Sequence, residues 1–297
     1  MRVIASVEEM RALAAATRQG GRRSALVPTM GALHAGHLAL LGEARRHGDP
    51  VVLSVFVNPL QFGPGEDYAL YPRDLARDRA LAQAAGTDVL WAPEAGALYP
   101  RPPEVTVDPG PVGAILEGAV RPGHFRGVLT IVLKLLAVVD PGVALFGRKD
   151  AQQAFLVRRM AEDLSLPVAI VVMPTVRDHD GLALSSRNAY LSAKERALAL
   201  ALPRALAAGV AAFRAGERSA GRVIAAVWKV LGADDDLSTE YINVVDPDTF
   251  LPNHAATARS VLAAAVRVGG PAGRRLIDNV VLGEGLERDP VAPAGEA

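Results

Sequence analysis

Short apolar runs alternate with longer amphipathic stretches along the first part of the chain. The apolar runs occupy residues 24–28, 51–57, 88–92, 143–147 and 168–173. The helical patterns between them occupy residues 37–48, 73–85, 125–139 and 150–163. Nearly continuous apolar runs are typical of strands buried on both faces of a parallel sheet. The alternation therefore predicts an α/β fold with a doubly wound parallel sheet covered by helices.

The pattern changes in the last third of the chain. Residues 193–231 have the periodicity of two Ala-rich helices. Three later runs are typical of antiparallel strands and lie at 240–250, 259–269 and 274–282. We therefore predict a first domain over 1–175, a smaller α+β domain over 176–282, and a polar, Pro/Gly-rich tail over 283–297 that is disordered.

The composition excludes several classes of function. Lys and Arg together number 32, as do Asp and Glu, so no global basic field exists to hold a nucleic acid or an anionic membrane. The absence of cysteine excludes disulfides and thiolate metal sites and fits a reducing cytoplasm. Residues 1–20 resemble an amphipathic helix rather than a signal peptide, and no stretch has the roughly 20 uninterrupted apolar residues of a membrane span.

Two histidines stand three positions apart in TMGALHAGHLALL, residues 29–41. His34 and His37 follow the first predicted strand, and this spacing places both rings on one face of a helix's first turn. The exposed N–H groups and the dipole of a helix N-terminus attract phosphate. A zinc site is disfavoured because a third ligand is missing from the motif. Anion binding is the prediction, with purely structural histidines as the alternative.

Other strand ends also carry polar residues where a ligand would lie. Asn58 and Gln61 follow the second predicted strand. Lys149 stands in the first turn of a helix, where the dipole disfavours a cation unless an anion compensates it. Further polar residues near predicted helix or loop starts are Asp150, Gln153, Arg121, His124, Ser185, Ser186 and Arg187. Together these residues predict one anion-binding cleft.

The motifs resemble one family across nearly the whole chain. In order they are PTMGALHAGH, SVFVNPLQFGPGEDYALYPR, LYP, RPGHFRGV, LFGRKDAQQ and PTVRDHDGLALSSRNAYLS. This colinear set resembles the pantothenate synthetases (pantoate–β-alanine ligases), whereas HxGH alone marks only a wider nucleotidyltransferase superfamily. The chain departs from the family pattern at Ala35, where an acid or Gln is usual, at Arg148, where Glu or Gln is common, and at Ala151, where an aromatic often stands.

The resemblance implies an ATP-dependent condensation of pantoate with β-alanine. The products are pantothenate, AMP and pyrophosphate, and the intermediate is a pantoyl-adenylate. It also implies a Rossmann-like catalytic domain that binds ATP and pantoate, a smaller lid domain, Mg²⁺ accompanying ATP, and a cytoplasmic homodimer. The alternatives are another adenylate-forming or nucleotidyl-transferring enzyme of the superfamily, or a nucleotide sensor without turnover.

The resemblance also implies roles for single residues. His34 and His37 would hold the triphosphate, while Lys149 and Arg187 counter the charge of the leaving pyrophosphate. The Ser-Ser-Arg segment would close over ATP. The further ATP contacts that it implies are Met30, Gly147, Asp150, Val176, Ser185 and Ser186.

The resemblance also implies which residues contact pantoate, Mg²⁺ and β-alanine. Gln61 and Gln153 resemble the pantoate ligands, with Met30 and Phe56 as an apolar wall for the geminal methyl groups, Phe56 being equally well a core residue. Asp78 is the expected Mg²⁺ contact. The residues expected near β-alanine are Asn58, Tyr71, Arg121 and His124.

Overall fold

The computed structural model describes residues 1–293. The chain forms two compact units, which are described separately. The first unit comprises residues 1–147 and 152–173, and the second comprises residues 148–151 and those from 174 onward. A short segment after the fifth strand thus belongs to the second unit although the chain on either side of it belongs to the first.

A six-stranded sheet forms the centre of the first unit, with the order β1-β4-β3-β2-β5-β6. All of its strand pairs are parallel, which confirms the predicted sheet. β1 is missing from the prediction because three residues carry too little periodicity within a stretch whose pattern is helical. The strands are β1 Arg2–Ile4, β2 Ala25–Thr29, β3 Val51–Val55, β4 Val89–Trp91, β5 Val143–Gly147 and β6 Ala169–Met173.

The strand order reverses at β2, which lies between β3 and β5. Doubly wound sheets bind ligands beyond the carboxyl ends of the strands at such a reversal. The residues that follow β2 and β3 are therefore expected to contact a ligand of this unit. The connecting helices are α1 Val7–Gln19, α2 Ala35–Ala44, α3 Leu75–Ala84, α4 Ala95–Leu98, α5 Glu117–Val120, α6 His124–Val139 and α7 Ala151–Asp163.

The second unit packs three helices against a three-stranded antiparallel sheet of order β7-β8-β9. Its core is aliphatic and includes Leu206 and Leu262, both fully buried. The α+β architecture predicted for this part of the chain is confirmed. The elements are α8 Ala193–Ala199, α9 Ala201–Arg214, α10 Ala220–Leu231, β7 Leu237–Val245, β8 Val261–Val268 and β9 Arg274–Val281.

One helical stretch of the described chain, Ala193–Arg214, is long and apolar enough to cross a membrane by length and composition alone. Its apolar side chains have another use, because Leu202, Leu206 and Val210 are buried in the core of the second unit. Burial in a protein core accounts for the hydropathy of this stretch.

The predicted disorder of the tail is not found at residues 283–293. After β9 the chain forms a short 3-10 helix, Leu286–Arg288. It then pairs with the backbone of Arg177, which donates to the Pro290 carbonyl (2.9 Å) and accepts from the Ala292 N–H (2.8 Å). The polar composition predicted a disordered tail. In the structure, backbone hydrogen bonds and ion pairs hold this segment in place. Residues 294–297 of that prediction lie outside the described residues.

Candidate active site

The first turn of α2 fixes the protonation pattern of two imidazole rings. His34 is the N-cap residue, and its Nδ1 accepts a hydrogen bond from the Gly36 N–H (3.2 Å). The His34 N–H in turn donates to Nδ1 of His37 (3.3 Å), so the two histidines form a capping box. An Nδ1 that accepts leaves Nε2 as the protonated nitrogen of a neutral imidazole. The rings lie with centroids 4.0 Å apart, and both are half-buried.

The loop before α2 is held by Asp78, which is 1% exposed. Its two carboxylate oxygens accept from the N–H groups of Ala32 (2.9 Å) and Leu33 (2.8 Å). Gly31 and Ala32 both have positive φ, 83° and 51°, and a Cβ at Gly31 would lie 2.8 Å from Asp78 Oδ2. Asp78 therefore anchors this loop, and its expected contact with Mg²⁺ stays a prediction.

Gln61 is held in place by neighbouring amide and thioether groups. Its Oε1 accepts from Asn58 Nδ2 (3.0 Å), and its Nε2 lies 3.1 Å from the Met30 sulfur. Asn58 Nδ2 also donates to the Gly127 carbonyl (3.1 Å), and Asn58 Oδ1 accepts from the Tyr99 hydroxyl (3.1 Å). The structure therefore joins the predicted residues Met30 and Gln61. Asn58 is 1% exposed and supports Gln61, while its expected place near β-alanine stays a prediction.

Arg121 and His124 are likewise support residues. The Arg121 guanidinium forms a two-point ion pair with Glu66 (2.8 and 2.5 Å). It also donates to the Gln61 carbonyl (3.3 Å). His124 Nδ1 lies 2.9 Å from the same carbonyl, and its Nε2 lies 3.1 Å from Arg121 Nη1. Because guanidinium can only donate, His124 accepts at Nε2 and donates from Nδ1. The placement of this pair near β-alanine stays a prediction.

Burial, reinforced by the positive charge of Arg121, lowers the pKa of His124 from 6.5 to about 4. The imidazole is therefore neutral at physiological pH, as the tautomer above requires. Burial raises the pKa of Glu66, but the hydrogen bonds and charge of Arg121 outweigh that effect, and the net shift is downward. The pair thus stays ionised beside a neutral histidine.

A cavity of about 260 Å³ opens beside this network in the first unit. Met30, Phe56, Tyr68, Arg73 and Asp78 are among the residues that line it. The Arg73 guanidinium lies 5.1 Å from the Tyr68 ring centroid and donates to the Tyr68 carbonyl (2.9 Å). The lining therefore combines an apolar wall with one cation, Arg73, and two carboxylates, Asp74 and Asp78.

Two further predicted residues of the first unit have different surroundings. Tyr71 is buried and its ring packs on Phe62, with centroids 6.1 Å apart. It is part of the apolar packing, and its expected place near β-alanine stays a prediction. Gln153 is half-buried on α7. Its neighbour Gln152 donates to the Val112 and Ile115 carbonyls, so it is Gln152 that secures the adjoining loop.

The remaining predicted residues lie in the second unit, apart from Gly147, which ends β5. Lys149 and Asp150 are in the 3-10 turn Arg148–Asp150. Ser185 caps a second 3-10 helix, Ser186–Tyr190, by accepting from the Arg187 N–H (3.3 Å). The Val176 carbonyl accepts from the Leu184 N–H (3.0 Å), which brings the ends of the intervening loop together. Ser186 and Arg187 are half-buried.

No group of three or more His, Cys, Asp or Glu side chains among residues 1–293 is arranged to hold a metal ion.

Several residues of the site were not singled out from the sequence. Glu66 neutralises Arg121, Tyr99 donates to Asn58, and Gln152 binds three backbone groups, including the Glu117 N–H. The signal for Glu66 was its place in the GPGEDY segment. The sequence pattern could not distinguish it from the other acid of that segment. The signal for Tyr99 was its place in the LYP motif, but nothing in the sequence points to Asn58, far along the chain, as its partner.

The comparisons with known proteins agree on one family. The family model described as pantoate-beta-alanine ligase matches residues 2–281. A pantothenate synthetase of Geobacter sulfurreducens is 49% identical over 284 residues, which are 96% of this chain and 99% of that protein. One of Agrobacterium fabrum is 49% identical over 284 residues, with 95% and 96% covered.

Solved structures show the same relationship. A pantothenate synthetase structure from Thermus thermophilus has a TM-score of 0.88 at 47% identity and covers 95% of this chain and 99% of that one. A pantoate-beta-alanine ligase from Francisella tularensis, complexed with beta-gamma ATP and beta-alanine, has a TM-score of 0.77 at 29% identity, with 96% and 99% covered.

The buried imidazole predicts how stability depends on pH. Because the pKa of His124 is about 4 in the folded protein and 6.5 in a model peptide, the unfolded chain takes up a proton first as pH falls. The stabilisation is present in full above pH 6.5 and is lost towards pH 4, by about 3 kcal/mol in all. His124→Asn keeps an N–H donor and is expected to remove this contribution. Urea denaturation at pH 7 and pH 5 measures it.

The matched control is His254→Asn, because His254 is exposed in the second unit. That variant should lose as much stability between pH 7 and pH 5 as the unmodified chain does. A His124→Asn variant with the unmodified pH dependence would show that His124 titrates normally and that the neutral tautomer is not enforced.

Proposed function

The chain belongs to the pantoate–β-alanine ligase family, and we propose that it performs the family's ATP-dependent ligation of pantoate and β-alanine through a pantoyl-adenylate. A carboxylate is a poor acyl donor until its oxygen becomes part of a good leaving group. In the first step a pantoate carboxylate oxygen attacks the α-phosphorus of ATP and pyrophosphate leaves. In the second step the neutral amine of β-alanine attacks the acyl carbon, AMP leaves, and the amine gives up a proton.

The observation that carries this proposal is the pair of backbone hydrogen bonds that Nδ1 of His34 and Nδ1 of His37 accept. Both Nδ1 atoms accept from backbone N–H groups, so both Nε2–H groups are donors. The pantoate carboxylate is already ionised at neutral pH and needs no general base. Catalysis of the first step then consists of positioning and of stabilising charge on the phosphorus oxygens. Two preorganised neutral donors at the end of β2 are suited to this task.

Gln61 is the proposed pantoate ligand of the first unit. Its amide is held by Asn58 and contacts Met30, so the side chain is oriented before a substrate arrives. A neutral amide can orient the carboxylate and hydroxyl groups without neutralising the nucleophile, whereas a bidentate Arg would stabilise the ground state. Met30 and Phe56 line the neighbouring cavity and are proposed to contact the geminal methyl groups. Gln153 is proposed as the second amide ligand.

The phosphate contacts of the second unit are proposed from the family resemblance. Lys149 and Arg187 counter the charge of the departing pyrophosphate, and the Ser-Ser-Arg segment closes over ATP. Magnesium is proposed to enter as part of the MgATP substrate, retaining water ligands. We further propose a cytoplasmic homodimer. The remaining proposed ATP contacts are Gly147, Asp150, Val176, Ser185 and Ser186.

The two half-reactions separate this function from its rivals. Exchange of labelled pyrophosphate into ATP is expected to require pantoate but not β-alanine, because only the first step is reversed. Release of AMP over many turnovers is expected to require both substrates. Exchange that another carboxylate supports equally well would refute the substrate assignment, and nucleotide binding without exchange would identify a sensor.

His37→Ala tests the donor role of the histidine pair. Removal of one preorganised donor to the transition state is expected to lower the rate of pyrophosphate exchange at least about 100-fold. His254→Ala, at an exposed position, should leave the rate unchanged. If His37→Ala lowers the rate of pyrophosphate exchange by less than about threefold, the role of His37 is structural and not catalytic.

Gly127→Ala tests whether the support of Gln61 sets its position. A Cβ at Gly127 would lie 2.2 Å from the Leu60 carbonyl oxygen and 2.7 Å from the Gln61 nitrogen, so the backbone must shift. A displacement approaching 1 Å is expected to lower kcat/KM for pantoate by roughly 10- to 100-fold. The control is Gly96→Ala in α4, where no atom lies within 4 Å of the added Cβ. Equal kinetics of both variants would contradict the positional role.

A further inference from the structure

The turn that bears Lys149 is tied to the C-terminal part of the second unit by ion pairs. Its preceding residue, Arg148, contacts Glu284 (2.6 Å) and Asp289 (3.1 Å). The Asp289 side chain is only 2% exposed. A carboxylate this deeply buried is stable in the charged form only when cations and hydrogen bonds compensate the lost hydration.

A second guanidinium also contacts Asp289, and burial, which raises the pKa of this carboxyl, outweighs the opposing effect of the two arginines. Arg177 Nε contacts Asp289 Oδ2 (2.8 Å), and the two terminal nitrogens contact Asp278 (2.7 and 3.1 Å). The Arg177 side chain is 4% exposed. Asp289 therefore bridges two arginines, one of them directly adjacent to Lys149, and the geometry of the bridge is fixed at both ends.

The backbone of the turn is held independently by Asn279. Its side-chain N–H₂ group donates to the carbonyl of Arg148 (2.8 Å) and to the carbonyl of Lys149 (2.9 Å). Asn279 is on β9, beside Asp278. The turn is thus clamped by its main chain to β9 and by the Arg148 side chain to the segment after β9.

Residue 148 departs from the residue type that the family resemblance leads one to expect. Family resemblance leads one to expect Glu or Gln there, and an acid would face Glu284 and Asp289 as a like charge. Arginine carries a positive charge instead, so its contacts with Glu284 and Asp289 are two ion pairs. Both acidic partners lie after residue 281, where the family-model match ends, so this segment adds a contact that the matched region does not contain.

We propose that Asp289 is a positioning residue for ATP use, acting through Arg148 on the Lys149 turn. This inference rests on the proposed role of Lys149 as a phosphate contact. The C-terminal segment is proposed to act without contacting the substrate. It holds the turn in one conformation, so that the ammonium group is preorganised and ATP binding does not have to order it.

Asp289→Asn in the full-length chain tests the proposal. Arg177 keeps Asp278 and Arg148 keeps Glu284 in this variant, so each arginine retains a carboxylate and the fold is expected to survive. The expected result is a loss of about tenfold in kcat/KM for ATP in pyrophosphate exchange, with KM for pantoate unchanged. Arg148→Gln breaks the same bridge from the other side and carries the same expectation, should Asp289→Asn fail to fold.

The matched control is Glu287→Gln. Glu287 lies in the same segment but pairs with Arg214 at the surface. Its kinetics are expected to stay within about twofold of those of the unmodified chain, because exposed pairs contribute little. If Glu287→Gln loses as much activity as Asp289→Asn, the segment acts through general stability and the proposal is wrong.

A double-mutant cycle with Lys149→Gln separates the inference from the function on which it rests. If Asp289 acts through Lys149, the double variant should exchange pyrophosphate no more slowly than Lys149→Gln alone. Additive losses would overturn the inference while leaving the ligase assignment intact. A Lys149→Gln variant with unchanged exchange would instead remove the proposed role of Lys149 and this inference with it. Circular dichroism and thermal unfolding of each variant verify that the fold is intact.

Discussion

The Asp78 carboxylate is the constraint on which the first unit's site depends. Ala32 adopts a positive φ, a conformation that costs a residue with a Cβ about 1 kcal/mol. Two hydrogen bonds from backbone N–H groups to a buried charge contribute about 1.5–3 kcal/mol each, which is enough to hold it. The loop then delivers His34 to the N-cap position of α2. Asp78 thus shapes the loop that bears His34 and also lines the neighbouring cavity.

The same principle governs the protonation states around the site. Backbone N–H groups occupy Nδ1 of His34 and His37, and the Gln61 carbonyl and Arg121 occupy the two nitrogens of His124. In each case the main chain or a fixed cation selects the tautomer. The result is a set of neutral imidazoles whose N–H groups have defined orientations. That arrangement is consistent with a chain whose formal net charge is zero.

Sequence periodicity predicted the sheet well because burial on both faces leaves a continuous apolar run, and β5 was predicted over the residues that form it. It could not separate ligands from their supports. Asn58 and Gln61 both follow β3, yet only the fold shows that Asn58 faces the Gly127 carbonyl. Arg121 and His124 likewise looked like anion ligands, because nothing in their spacing reveals Glu66 as the partner. Polar residues at a strand end indicate where a site lies, but the role of each residue depends on its hydrogen-bond and ion-pair partners.

The C-terminal segment shows why such pairing cannot be predicted from composition. Composition predicts disorder there because the segment has few apolar residues with which to form a core. Its order comes instead from Asp289, whose partners Arg148 and Arg177 lie more than a hundred positions earlier in the chain. Ion pairs have no periodicity and depend on which charges the fold brings together. A departure from a family pattern, such as arginine at position 148, is therefore best judged together with distant charges that can compensate it.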